Sequence, residues 1–138
     1  MSLDDLQSGC VIRYPFLWGR ESDHGETEGR KSRPVAVGVR LARPRGEDVL
    51  LLFPITSQAP SAERFAMEIP EMEKRRAGLD VMLRLWIILD EFIQDIVGQS
   101  FYLEPGPPLG RFSKAFFLPL MKKFIARRAD ARGINRQR

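Results

Sequence analysis

Cysteine and histidine are almost missing from this chain, and long apolar runs are missing altogether. Cys10 is the one cysteine in 138 residues, so no intramolecular disulfide can form and no cysteine cluster is there to hold zinc. His24 is the one histidine, which removes most metal-site and triad designs. The longest unbroken apolar runs, Val49–Phe53 and Leu85–Leu89, have five residues each, against the roughly 20 that span a bilayer. The opening MSLDDLQSG carries two aspartates and no apolar centre, unlike a secretory signal. These absences lead to the expectation of a soluble, cytoplasmic protein.

What is present fits one domain. A hydrophobic content of 43% in 138 residues is enough for one compact core. Residues 1–70 hold 9 Lys/Arg against 10 Asp/Glu, and residues 71–138 hold 13 against 8, so the net charge of +4 lies in the second half. The tail KKFIARRADARGINRQR concentrates it, with seven basic residues and one acid. Such an end attracts nucleic acid or an acidic protein, and is equally what a solvated helix face with a frayed terminus (129–138) looks like.

Periodicity predicts mostly strands. CVIRYPF (10–16) reads as a short strand, and PVAVGVRLA alternates Val35, Val37, Val39 and Leu41 on one face. RPRGED (43–48) is a turn, and VLLLFPIT (49–56) is an apolar strand with Pro54 near its end. RFAMEI (64–69) alternates again, while the charged EMEKRRAGL (71–79) fits a short helix or an exposed loop. LRLWIILDEF (83–92) reads as one buried strand, with a buried helix as the alternative, and QSFYLEP (99–105) is a candidate partner for it. At the C-terminus Phe116/Phe117, Leu120/Met121 and Phe124/Ile125 recur at helical spacing. Ser113 is a possible N-cap, which would place Pro119 inside the helix at a cost of about 3 kcal/mol; otherwise the helix starts at Pro119. Short strands followed by one amphipathic helix predict a small barrel covered at one end.

GETEGRKSRPVAV (25–37) is close to the phosphate-binding order G-x-x-x-x-G-K-[ST]. The match fails: three residues rather than four separate Gly25 from Gly29, and Arg30 intrudes before Lys31. A phosphate loop also opens a helix, whereas this segment runs through Arg33-Pro34 into a strand, and the residue before proline avoids helical geometry.

Several segments in order resemble instead the MazF/PemK (Kid) family of toxin endoribonucleases from toxin–antitoxin pairs. GCVIRYPF is similar to the family's opening strand, with Cys10 in place of the usual acid. GRKSRPVAV resembles the G-x-[KR]-x-RP-[VA]-[VL]-V segment after the first long loop, and FPITSQ (53–58) the [VA]-P-[IVC]-T-[ST]-x segment of the third strand. LDEF (89–92) is similar to the place of a family aspartate, and LGRFS (109–113) to the sequence introducing the C-terminal helix. The chain departs from compact members in its long first loop (Trp18 to Ser32), its charged insertion within 71–88 and its tail beyond Arg128.

The resemblance implies an SH3-like β-barrel of the MazF/PemK/CcdB toxin type with a C-terminal helix. It implies cleavage of single-stranded RNA by 2′-hydroxyl attack on the adjacent phosphate, without metal or cofactor. It further implies a homodimer blocked by a cognate antitoxin protein, with no membrane involved. Arg33 matches the arginine before proline, whose planar fork suits a charged phosphorane; its plainer role is a surface arginine at a strand start. Thr56 matches a family threonine able to donate to the same phosphate, and is otherwise an ordinary strand-end residue. Asp90 matches the family aspartate, for orienting Arg33, accepting from a base edge or moving a proton; its plainer role is a turn acid. Trp18, Glu28, Lys31, Ser57 and Gln58 are candidates for RNA contact. His24 is a less favoured proton shuttle, and Cys10 a small core residue. Two other functions stay open: a non-catalytic module of the same fold that binds nucleic acid or protein, and a CcdB-like gyrase poison.

Overall fold

The computed structural model of the chain describes residues 8–14, 33–41, 48–96, 108–127 and 132–135. Among these, the order is β1 (Cys10–Tyr14), β2 (Arg33–Leu41), β3 (Val49–Thr56), β4 (Ala66–Glu68), α1 (Glu71–Arg76), β5 (Trp86–Ile88), β6 (Glu91–Ile96), β7 (Gly110–Arg111), α2 (Lys114–Arg127) and β8 (Arg132–Asn135). The strands form one curled sheet in the order β4-β5-β3-β2-β1-β7, with β6 also on β3 and β8 on β6. Every pairing is antiparallel except β6 with β8. The protein is therefore mainly β, a curled antiparallel sheet with two helices among the described residues, in line with the expected small barrel-like architecture.

β3 is the centre of the sheet and serves two partners in succession. Val49–Leu52 pair with β6, and Ile55 and Thr56 pair with β5. Between these ladders lies Pro54, which has no N–H to donate and so belongs where the ladder is interrupted. Opposite that break the chain turns a corner at Leu89 and Asp90. LRLWIILDEF is thus neither one strand nor a helix: it divides into β5 and the start of β6. The candidate strand at 99–105 lies outside the described residues.

Both faces of β2 and β3 are buried. On one, Val11, Ala36, Phe53 and Ile55 pack with Phe117, Leu120, Met121 and Phe124 of α2. Phe53, Phe92 and Phe124 form an edge-to-face cluster, with Phe53–Phe124 ring centroids 4.8 Å apart. On the other face Ile12, Val35, Leu50, Leu52 and Ile93 are buried. There the Tyr14 hydroxyl donates to the carboxylate of Asp95, both fully buried, tying β1 to β6. A buried carboxylate is tolerable only when hydrogen-bonded in this way.

The charged segment after Ile69 is helix α1, and its role is internal. Neighbouring residues Glu73 and Lys74 are both buried. Ser113 donates its backbone N–H and its hydroxyl to Glu73 at 2.8 and 2.7 Å. Lys74 Nζ donates to the carbonyls of Val81 and Leu83 at 3.2 and 2.6 Å. One side chain thus anchors the start of α2 and the other the loop leading to β5. Just beyond α1, Gly78 has φ +72°, and a Cβ there would lie 2.1 Å from the Leu109 carbonyl oxygen, so glycine is required.

Ser113 is the cap of α2: Phe116 N–H donates to its Oγ at 3.2 Å. Pro119 consequently lies inside the helix, and the apolar face buried through Phe117, Leu120, Met121 and Phe124 offsets its cost of about 3 kcal/mol. The basic tail, expected to fray, contributes β8 along β6.

Replacing Lys74 with Met should orphan two carbonyls and cost about 1–3 kcal/mol. Denaturant unfolding would give the loss, and amide exchange should speed up first in residues 78–85. Unchanged protection of that loop would disprove the anchoring role.

Candidate functional site

The strand ends gather polar residues at one end of the sheet. Tyr14, the last residue of β1, pairs with Arg33, the first of β2. Val35 pairs with Pro54, the last pair of the β2–β3 ladder, so Arg33 at the start of β2 and Thr56 at the end of β3 lie at the same end of the sheet. Thr56 pairs with Trp86, the first residue of β5, which pairs with Glu68, the last of β4. Residues directly opposite on antiparallel strands share a face with Cβ atoms about 5 Å apart. Tyr14 and Arg33 therefore form one opposed pair, and Thr56, Trp86 and Glu68 one transverse row over three strands, at the same end of the sheet.

Arg33 and Thr56 are half-buried, while Ser57 and Gln58 just beyond β3 are exposed. The Gln58 N–H donates to Thr56 Oγ1 at 3.1 Å, which orients the hydroxyl and uses one acceptor position, leaving its O–H to donate. A guanidinium and a hydroxyl donor are suitable groups for holding phosphate oxygens. Past Trp86, Arg84 lays its guanidinium 4.9 Å from the indole centroid. Its Nε and a terminal nitrogen reach the two Glu68 oxygens at 3.0 and 2.8 Å. Hydrogen bonding to Arg84 holds the Glu68 carboxyl below its ordinary range, with the arginine charge adding to it.

Asp90 is engaged elsewhere. Arg64 clasps it through Nε at 2.9 and 3.0 Å and through a terminal nitrogen at 2.6 Å, and the Phe65 N–H donates to it at 3.0 Å. Arg64 also reaches Glu91 at 3.5 Å, and the Leu89 N–H donates to the Phe65 carbonyl at 2.8 Å. Burial would raise the Asp90 carboxyl, but the Arg64 hydrogen bonds, the Phe65 amide and the Arg64 charge outweigh it and hold it low. Asp90 thus clamps the corner opposite Pro54, and its partner is Arg64 rather than Arg33. Sequence reasoning passed over Arg64, whose one signal was a cation directly before an alternating strand.

Of the residues expected to act, Arg33 and Thr56 lie at the same end of the sheet, with Ser57 and Gln58 following Thr56. Trp18, Glu28, Lys31 and His24 lie outside the described residues. Cys10 is buried and accepts a 3.4 Å contact from Arg111. Among the described residues no three His, Cys, Asp or Glu side chains gather as metal ligands, and no helix is long and apolar enough to cross a membrane. No family model, curated protein or solved structure matches the chain.

The Asp90 clamp makes stability depend on acidity. Because its carboxyl is held low in the folded protein, its contribution is complete above the unfolded value of about 3.9 and lost as pH falls through the lower folded value. With Arg64 partly exposed, the clamp is worth roughly 1 kcal/mol after solvent screening. Asp90→Asn should show that deficit in urea unfolding at pH 7, and the gap to wild type should close towards pH 2. A gap independent of pH would contradict the assignment.

Proposed function

We propose that this chain is a toxin-type endoribonuclease similar to the MazF/PemK family, acting on single-stranded RNA without a metal or cofactor. The observation that carries this reading is that β2 begins and β3 ends at the same end of the sheet, with Arg33 and Thr56 both half-buried there. Strand transfer within RNA needs little more than this. The 2′-hydroxyl oxygen forms a bond to the neighbouring phosphorus, and the bond to the 5′-oxygen breaks. A proton leaves the attacking oxygen and another reaches the departing one. Negative charge grows on the non-bridging oxygens between, where a fixed guanidinium and a hydroxyl donor lower the barrier most.

In this reading Arg33 stabilises the charged phosphorane and Thr56 donates to one of its oxygens. Ser57 and Gln58 contact the strand leaving the site. Asp90, held low by Arg64, keeps the sheet corner in place and is not a proton carrier. The homodimer and the acidic antitoxin belong to the same proposal, since a basic RNA groove suits an acidic inhibitor. The resemblance of the segments around Arg33 and Thr56 favours a nuclease over a gyrase poison, which has no use for a phosphate cradle.

Purified protein should cut single-stranded RNA in the presence of EDTA. Arg33→Ala should slow cleavage by about 10²–10³-fold while leaving the unfolding midpoint nearly unchanged. Thr56→Val should slow it less. Intact RNA with wild-type protein, strict dependence on added metal, or undiminished cutting by Arg33→Ala would each defeat the proposal.

A further inference from the structure

Trp86 and Arg84 lie beside the proposed phosphate cradle and have no part in it. Trp86 sits directly opposite Thr56, one strand away, a separation of about 4.8 Å. Its indole is 9% exposed, and the Arg84 guanidinium lies over it. Arg84 and Glu68 side chains are 71% and 45% exposed. Exposed ion pairs add little to stability because ordering two long side chains offsets their attraction. This one nevertheless has both Glu68 oxygens engaged by one edge of the guanidinium. Such a two-point fork fixes the plane of the arginine as a single contact does not.

The outcome is a flat, cationic surface backed by an aromatic ring and open to solvent on its outer side. Two of the five N–H donors of Arg84 face Glu68, leaving three for other acceptors. Unpaired nucleobases are bound by stacking on aromatic rings or on guanidinium planes. We propose that the Arg84–Trp86 pair, held by Glu68, is the stacking platform for the base next to the phosphate bound at Arg33 and Thr56. This rests on the RNA reading above and adds a subsite to it. Arg84 contacts the base, Trp86 supports Arg84 from beneath, and Glu68 positions the guanidinium. Every base has a face to stack, so the subsite contributes affinity for single strands more than choice of sequence.

The test uses the full chain and two oligonucleotides of one sequence. One is all 2′-O-methyl, which cannot supply the attacking hydroxyl; the other is ordinary RNA. Anisotropy of the labelled inert strand, in EDTA, reports binding alone. Arg84→Ala should weaken it about ten-fold and raise KM on RNA with kcat little changed. Arg84→Lys keeps the charge without the plane and should bind no better than the alanine variant. An abasic nucleotide scanned along the strand should cost wild type about ten-fold at one position and cost Arg84→Ala nothing further there.

If Arg84→Lys restores binding, attraction of charge suffices and the platform is wrong. If Arg84→Ala binds like wild type while cleavage still depends on Arg33, the subsite falls and the nuclease stands. Arg84-dependent binding by a protein that never cuts RNA keeps the subsite and removes the nuclease. A wild-type protein that binds neither strand overturns both.

Discussion

The missing N–H of Pro54 is the constraint around which the rest of the sheet is arranged. A proline in a central strand lacks a ladder donor, and although β3 keeps β2 along one edge from Val49 to Pro54, its other edge changes partner there. That edge holds β6 over its first half and β5 over its last two residues. The change of partner bends the 83–96 segment, and the bend requires a clamp, which Arg64 and Asp90 supply. The corner also sets which residues reach the far end of the sheet. Without it, Trp86 would not fall opposite Thr56.

A second organising device is the pair of adjacent buried charges on α1. Burying charge is costly unless each group is fully engaged. Glu73 takes both donors of Ser113, and Lys74 gives to two carbonyls in the loop before β5. The short helix thereby ties the start of α2 and the approach to β5 to the same point. The charged segment 71–76 is thus an internal brace.

Much of the fold was legible in the residues because its causes are local. The valines of 35–39 mark a strand, although a bulge between Val37 and Val39 turns Val39 to the opposite face, beside Leu51; the Val49–Phe53 run has the length of a central strand, and paired apolar residues from Phe116 to Phe124 mark a helix. Three features were not legible, because their causes lie far along the chain. The division of LRLWIILDEF depends on Pro54 and on Arg64. Whether α1 is helix or loop depends on Ser113, Val81 and Leu83. The choice of start for α2 between Ser113 and Pro119 depends on Glu73 and on the core that Phe117 and Phe124 enter. At the site, the Arg-Pro and Pro-Ile-Thr segments marked Arg33 and Thr56 as candidates. The motif position of Asp90 carried no information about Arg64, and nothing in the spacing of Arg84, Trp86 and Glu68 predicted that two strands would set them face to face.

The transverse row also has a consequence for the order of events in synthesis. Tyr14, Arg33, Thr56, Glu68 and Trp86 span more than half of the chain and gather at one end of the sheet only when β1, β2, β3, β4 and β5 have all paired. Pairings between distant segments form late, since loop closure must come before the contacts that reward it. A nascent chain still lacking residue 86 holds the arginine and the threonine but has no assembled row. An order of assembly is then inherent in the topology, with the strand end completed only after β5 has been made.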